Sequence, residues 1–258
     1  MADNRVPKMW QYTVLDSQAR TGEIGVRFRQ SRSGPEEDLV RDFLERFLER
    51  FTVKVRDGFQ LTFFKEPQLE SGAPDLVGVI WRRATAEKWN KARLLLRPFD
   101  IRVMHYLAQH EKIDRVSLEN VFVDRARLKD ALAKLEAAEM VRQRRHTVSP
   151  RPLSKLYAAK HIFAIEAKVT KWQDALNQAS LNRWFATSSY ILLPRIPLNS
   201  SVVSQAQSHG VGVWSSDGAL FDANLPLAKS SPVSYASWLF NEWAWRASIA
   251  SPGPHAES

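Results

Sequence analysis

Two short apolar segments constrain the fold of this chain more than any other feature. Residues 76–81 have the sequence LVGVIW and residues 162–169 have the sequence IFAIEAKV, with few polar side chains in either. Runs of this length and composition are typical of central strands that are buried on both faces of a sheet. Strand-like and helix-like segments alternate from 35 to 215. The sequence therefore predicts an α/β core with a mixed sheet flanked by helices.

The remaining elements follow from periodicity and turn residues. Apolar residues recur at helical spacing after Pro35 and predict a helix over 36–51. Further strands are expected at 59–64, 190–193 and 211–214, and further helices at 171–186, 202–209 and 235–247. Residues 1–34 are polar and irregular, so no element is predicted there. Residues 250–258 predict a disordered tail.

Composition limits the class of protein. Hydrophobic residues form 44% of the 258 residues, which is enough for a packed core. The absence of cysteine excludes disulfides, thiolate zinc sites and a cysteine nucleophile. The N-terminal segment lacks an apolar signal core, and no stretch approaches the ~18 apolar residues that span a bilayer. We expect a cytoplasmic protein that does not contact membranes.

The apolar pattern becomes purely helical between residues 82 and 155. A helix, a short helix, a longer helix and a basic hairpin follow one another there, which is the order of a winged helix-turn-helix domain. Residues 96–155 hold 13 Lys and Arg against 8 Asp and Glu, an excess of five out of the chain's net charge of +9. The sequence thus predicts a discontinuous core, 1–81 and 156–258, with an inserted winged-helix domain at 82–155.

The basic residues of this insertion are candidates for DNA contact. The start of the expected recognition helix carries Arg125, Arg127 and Lys129, and the expected wing carries Arg142, Arg144 and Arg145. Side chains at these places can reach phosphates and base edges in a groove. Winged helices also serve as protein-interaction modules, so DNA contact and protein contact both stay open as interpretations.

The chemistry-bearing residues lie on the two apolar strands. Asp75 opens the first strand, and Glu166 and Lys168 lie two residues apart on the second, so they share a face. Two carboxylates on adjacent strands offer the hard oxygen ligands that Mg²⁺ prefers, with Mn²⁺ as a substitute. A lysine beside them can stabilise charge on a phosphate. The alternative is a Glu–Lys ion pair on a solvated sheet surface.

These residues resemble the PD-(D/E)XK nuclease superfamily, which has the restriction-endonuclease-like fold. The resemblance covers roughly residues 35–81 and 156–215. It implies that Asp75 and Glu166 bind the metal and that Lys168 is the catalytic lysine. It further implies a glutamate on the first helix, Glu37 or Glu36, and a glutamine on the helix after the third strand, Gln178 rather than Gln173. Glu37 could instead serve only the helix dipole, and Gln178 only the helix surface.

One feature departs from the family pattern. Asp75 and Glu166 are 91 positions apart (166 − 75), and the inserted segment accounts for the separation. We expect the insertion to place the winged helix directly beside the site. Lys171 and Arg183, on the helix after the third strand, are further candidates for phosphate contact.

The sequence therefore favours a Mg²⁺-dependent endonuclease that hydrolyses DNA phosphodiester bonds, with the winged helix positioning the DNA. Restriction, phage defence and repair all stay open. An RNA substrate ranks lower because no aromatic RNA-recognition signature is present. A homodimer would supply the two sites that a double-strand cut needs. The alternative is a catalytically silent DNA-binding regulator that acts through the winged helix.

Overall fold

The computed structural model describes residues 12–19, 21–30, 33–51, 58–196, 201–216, 218, 220–221 and 234–250. Its large sheet has six strands of four or more residues and a two-residue edge strand. They are β1 (Tyr12–Leu15), β2 (Phe59–Lys65), β3 (Leu76–Arg82), β7 (Ala159–Ala167), β8 (Ser188–Leu193), β9 (Gly212–Ser215) and β10 (Leu220–Phe221). A small antiparallel sheet contains β4 (Ile113–Asp114), β5 (Val141–Arg144) and β6 (Thr147–Pro150).

The helices are distributed between the large sheet and the segment that separates β3 from β7. Those of the sheet are α1 (Thr21–Ile24), α2 (Pro35–Phe51), α8 (Trp172–Asn182), α9 (Val202–Ser208) and α10 (Tyr235–Ala250). Those of the separating segment are α3 (Arg83–Ala86), a 3₁₀ helix (Lys91–Leu95), α4 (Pro98–Leu107), α5 (Arg115–Val121), α6 (Arg125–Ala137) and α7 (Leu153–Leu156).

The large sheet is mixed and has the strand order β1-β2-β3-β7-β8-β9-β10. The central strands β2, β3 and β7 are antiparallel, whereas β7, β8 and β9 are parallel. Parallel neighbours need crossover connections, and α8 and α9 supply them. The expected α/β architecture of a mixed sheet flanked by helices is thus confirmed.

Side chains alternate between the two faces of the large sheet. Phe63 and Ile165 pack against α2 on one face. Phe64 and Ala164, one position along on the same strands, belong to the cluster under α10 on the other face. Both faces of β3 and β7 are therefore covered, which explains why their sequences are almost uninterruptedly apolar.

The segment between β3 and β7 contains the expected helix α4, short helix α5, longer helix α6 and hairpin β5–β6, and also the two-residue strand β4, which was not predicted. Its buried side chains, such as Met104 and Leu135, join one continuous cluster with Phe240 and Trp243 of α10 and with Val77 of β3. The insertion therefore shares its hydrophobic core with the large sheet. The tryptophans of α10, which are Trp238, Trp243 and Trp245, are buried in this core.

Several boundaries differ from the expectations. Residues 1–34 contain β1, which pairs with β2 in parallel, and α1, whose Ile24 is buried. The strand expected to reach residue 169 ends at Ala167, and the helix expected to reach 186 ends at Asn182. Ala250 closes α10, and the rest of the expected tail, 251–258, lies outside the described residues. In the described part of the chain, no helix is long and apolar enough to cross a membrane.

Candidate active site

The antiparallel register of β3 and β7 brings the two predicted carboxylates together. Leu76 lies opposite Ile165, so Asp75, just before β3, lies at the same end of the strand pair as Glu166. The Ala167 N–H donates a hydrogen bond of 2.8 Å to Oδ2 of Asp75. Residues that are 92 positions apart in sequence are thus joined by one hydrogen bond across two strands.

A cavity of about 270 Å³ opens at this end of the sheet. All five residues predicted to be catalytic line it, together with six others. The lining residues are Arg29, Glu36, Glu37, Val40, Lys65, Glu66, Ala73, Asp75, Glu166, Lys168 and Gln178. The structure thus brings these five candidates together in a single cavity.

The first helix contributes both of its candidate glutamates. Nζ of Lys168 donates a hydrogen bond of 2.8 Å to Oε2 of Glu36, and Glu37 forms an ion pair of 3.5 Å with Lys65. Burial lowers the pKa of Lys168, but the Glu36 hydrogen bond and the charges of Asp75 and Glu36 outweigh it, so the net shift is upward. Lys168 is therefore held as an ammonium ion in this geometry.

Glu166 is the most deeply buried group of the site. Its side chain points to the face covered by α8, where Nδ2 of Asn182 donates a hydrogen bond of 2.6 Å to Oε1. Burial, and next the charge of Asp75, raise the pKa of Glu166 to about 8, while the Asn182 hydrogen bond acts in the opposite direction. Two carboxylates that repel each other form a site that favours a cation.

Asp75 is half-buried, and the net shift of its pKa is also upward. Burial raises its pKa, while the Ala167 N–H and the charges of Lys168 and Arg29 lower it. The Arg29 guanidinium lies 3.5 Å from Oδ1 of Asp75 and 3.1 Å from Oε2 of Glu66. Arg29 thus links the segment before α2 to the carboxylate end of β3.

The donor set fits magnesium but not a cage made of protein ligands. In the described part of the chain, no group of three or more His, Asp or Glu side chains is arranged to hold a metal ion. Mg²⁺ is usually bound by one or two carboxylates, with water and substrate phosphate completing its octahedron. Glu166, which is buried, and Asp75, which is half-buried, line one cavity and provide such a pair. Waters and substrate would have to supply the other positions.

Sequence reasoning missed four residues that border the site: Arg29, Lys65, Glu66 and Asn182. Arg29 follows a segment that shows no periodicity, so nothing in the sequence connects it with Asp75. Glu66 adopts a left-handed backbone with φ of 51°, which ends β2 beside the cavity. A signal existed only for Asn182, because it lies one helical turn after Gln178 and so shares its side of α8.

The two candidate phosphate contacts outside the insertion do not line the cavity. Lys171 is exposed and has a left-handed backbone, with φ of 52°, at the start of α8. Arg183 is exposed as well, but its guanidinium donates a hydrogen bond of 2.6 Å to the carbonyl of His209. Arg183 therefore already has a structural role in joining α8 to α9.

The predicted DNA contacts of the insertion lie on its surface. All six are exposed: Arg125, Arg127, Lys129, Arg142, Arg144 and Arg145. Arg127 packs over the Phe99 ring at 4.1 Å, and Arg125 lies 3.5 Å from Glu119. Lys129 has no such partner among the described residues. The start of α6 thus offers one unengaged cation, Lys129, and two cations that are partly held by the insertion itself.

The insertion is attached at the opposite end of the strand pair from the carboxylates. Trp81 pairs with Ala159 there, whereas Leu76 and Ile165 pair beside the site. Seven residues of β3 correspond to roughly 20 Å at ~3.3 Å per residue. The insertion therefore joins the sheet at the end of β3 that is far from the site, and the expectation that its winged helix lies beside the site stays a prediction. Among the described residues of the insertion, Arg102 of α4 contacts Glu70 in the loop between β2 and β3.

Comparisons with protein-family models, curated proteins and solved structures give no match. The interpretation of the site consequently depends on the geometry and chemistry of this chain's own residues.

Proposed function

We propose that this protein is a Mg²⁺-dependent endonuclease that hydrolyses DNA phosphodiester bonds. The observation that carries the proposal is the convergence of Asp75, Glu166 and Lys168 on one cavity at the end of β3 and β7. A carboxylate pair beside a protonated lysine matches the needs of phosphoryl transfer, which are cation binding and stabilisation of phosphate charge. The family resemblance, with a restriction-endonuclease-like core, supports the same assignment.

Each side chain has a distinct role in this proposal. Asp75 and Glu166 would hold the ion, which when bound polarises a phosphate oxygen and lowers the pKa of water. Lys168 carries a proton, so it acts as a cation toward the phosphate and not as a base toward water. Substrate phosphate would replace Glu36 as the partner of Lys168. Gln178 lines the same cavity and can donate to the substrate from its amide.

The insertion would hold the DNA as a winged helix. Its element order, its three-stranded sheet and its exposed cations on α6 and the β5–β6 hairpin support this role. The insertion joins the sheet at the end of β3 that is far from the site. Its DNA contacts would therefore lie farther along the duplex and not around the phosphate that is cleaved. Phosphate contacts of this kind give an affinity that falls steeply as salt rises.

The proposal is tested by cleavage of supercoiled plasmid DNA with Mg²⁺ or Mn²⁺. We expect Glu166→Ala and Lys168→Ala each to lower the cleavage rate by about 10³-fold, because each removes charge stabilisation from the transition state. Glu23→Ala, at an exposed glutamate of α1, is the matched control and should retain the wild-type rate. Equal rates in all four proteins would assign the cleavage to a contaminant or to another site.

A catalytically silent DNA-binding regulator is the second candidate. The exposed cations of α6 and the β5–β6 hairpin, which need no metal site to contact DNA, favour it. Under this alternative, plasmid stays intact with either metal, while Lys129→Gln, Arg142→Gln and Arg144→Gln together weaken DNA binding. Loss of cleavage in Glu166→Ala with unchanged DNA binding would exclude it.

A further inference from the structure

A second, larger cavity lies where the sheet meets the insertion, at the far end of β3 from the carboxylates. Its volume is about 500 Å³. It is lined by Arg82, Ala84, Thr85, Lys88, Trp89, Asn90, Arg93, Ala138, Glu139, Arg151, Ser154, Lys155 and Leu156. None of these residues lines the carboxylate cavity, so the proposed nuclease function assigns them no role.

The charge of this cavity is strongly one-sided. Four of its cations have no carboxylate partner in the described part of the chain: Arg82, Lys88, Arg151 and Lys155. The fifth, Arg93, is buried and neutralised by Glu242, whose Oε1 lies 2.6 Å from its Nη2. Among the lining residues Glu139 is the one acid. The cavity therefore has an excess of about three unpaired positive charges.

Two buried polar atoms of the lining have no hydrogen-bond partner. They are Nε of Arg151, a donor, and Oδ1 of Asn90, an acceptor. The orientation of the Asn90 side chain is fixed, because its Nδ2 donates a hydrogen bond of 2.9 Å to the carbonyl of Ala137. Buried polar atoms are nearly always satisfied in folded proteins, so each unpaired one indicates a missing partner. Both residues line the cavity.

The walls of the cavity are joined by hydrogen bonds between distant segments. The Trp89 indole N–H donates a hydrogen bond of 2.7 Å to the carbonyl of Lys155, and the Arg82 N–H donates one of 2.9 Å to the carbonyl of Ala158. The Arg93 guanidinium lies 3.5 Å from the centre of the Trp89 ring, which fixes that wall. A cavity with walls held in this way is preformed, and a ligand loses little free energy in ordering it.

We propose that this cavity binds a phosphate-bearing ligand of nucleotide size. A volume of about 500 Å³ falls within the range of small-ligand sites. Phosphate brings two to three negative charges with several acceptor oxygens, which match two guanidiniums and two ammonium ions. The lining cations Arg82, Lys88, Arg151 and Lys155 donate to such oxygens. The apolar walls, Trp89 and Leu156, accommodate a base or sugar.

Calorimetric titration of the full chain with ADP and with adenosine tests this proposal. We expect ADP to bind and adenosine to bind at least tenfold more weakly, because the phosphates carry the recognition. Lys88→Gln and Arg151→Gln should each weaken ADP binding by about tenfold. Lys91→Gln is the matched control: Lys91 is an exposed lysine three positions from Lys88 that does not line the cavity. Asp75→Asn should bind ADP as the wild type does.

A nucleic-acid end could supply the same chemical group, so single-stranded DNA with a 5′-phosphate is compared with the same strand carrying a 5′-hydroxyl. Competition with ADP by the phosphorylated strand alone supports the site and identifies a strand end as its source. Equal affinity for ADP and adenosine overturns the proposal, as does an equal loss in Lys91→Gln. Loss of binding in Asp75→Asn would move the ligand to the carboxylate cavity and likewise overturn it. Lys88 is exposed, so its variant tests the site even if Arg151→Gln folds poorly.

Discussion

The two ends of β3 differ in the balance of charged side chains around them. At the Asp75 end, Arg29 lies beside Glu66 and Asp75, Lys65 beside Glu37, and Lys168 beside Glu36. The unbalanced charge there is the negative charge of the Asp75–Glu166 pair. At the Arg82 end, four described cations face a cavity without a carboxylate partner.

The two ends of β3 therefore favour ligands of opposite charge. A cavity with paired cations and crowded carboxylates favours a metal cation, whereas a cavity with unpaired cations favours an anion. The strand between them is buried on both faces and consists of seven residues. Each end can therefore be changed by substitution without touching the other, and the strand itself can be changed to affect both.

The largest effect is expected from Gly78, in the middle of β3. A Cβ at this position would lie 2.1 Å from Cζ of Phe163 on β7. We expect Gly78→Ala to reduce the free energy of unfolding by about 4 kcal/mol and to impair both cavities together, because the strand must shift to relieve the clash. Chemical denaturation measures the loss. Gly22→Ala, where no atom lies within 4 Å, is the control, and equal stability of the two variants would contradict the expectation.

A smaller effect is expected from the proton on Glu166. Its pKa is about 8 in the folded chain against 4.5 for the unperturbed group, so the folded state binds more protons between these values. Without divalent metal, the free energy of unfolding should therefore fall as pH rises from 4.5 to 8. Glu166→Gln should remove this slope and exceed wild-type stability at pH 8 by on the order of 3 kcal/mol.

Thermal denaturation across this pH range, with chelator present, measures the slope. Glu45→Gln, at an exposed glutamate of α2, should keep the wild-type slope. A wild-type slope in Glu166→Gln would place the responsible proton on another group.

Asn182 should have a moderate effect that depends on pH. Its amide stabilises the charged form of Glu166, so Asn182→Leu raises the pKa of Glu166 further. We expect about tenfold lower plasmid cleavage near pH 7, recovering as pH rises above about 9. Ser180→Ala, on the same helix, should leave the pH profile unchanged. A loss that is constant with pH would point to a packing role for Asn182 and not to tuning of Glu166.

The smallest effect is expected at the basic end. Glu139 is exposed, so its charge is screened, and Glu139→Gln should tighten ADP binding by only about twofold to threefold. Calorimetry measures the change, with Glu136→Gln as the control. Weaker binding after Glu139→Gln would mean that the carboxylate contacts the ligand directly.

The main residues of the carboxylate site could be predicted from the sequence, whereas one strand of the fold could not. Asp75, Glu166 and Lys168 stood out because they interrupt or border strands that are otherwise apolar. The strand β1 was not predictable, because Tyr12 and Val14 are exposed on a short strand that pairs in parallel with β2. Without that segment in place, Arg29 could not be connected with Asp75.

The basic cavity could not be predicted from the sequence, for a different reason. Arg82, Lys88, Arg151 and Lys155 come from segments separated by about 60 residues, and they form no motif. Only the hydrogen bonds that close the insertion onto the sheet bring them together. For the same reason the insertion's attachment could not be placed, since the register of β3 and β7 decides which end it leaves from.

The shared cluster under α10 affects how this chain could be shortened or recombined. Phe240 and Trp243 pack in one continuous apolar layer with strand residues and with Met104 and Leu135 of the insertion. Deleting residues 82–155 would expose that layer to water, so the remaining core would aggregate instead of folding on its own. Exchange with another insertion would need a matching α10. The insertion and the C-terminal helix should therefore be inherited as one unit.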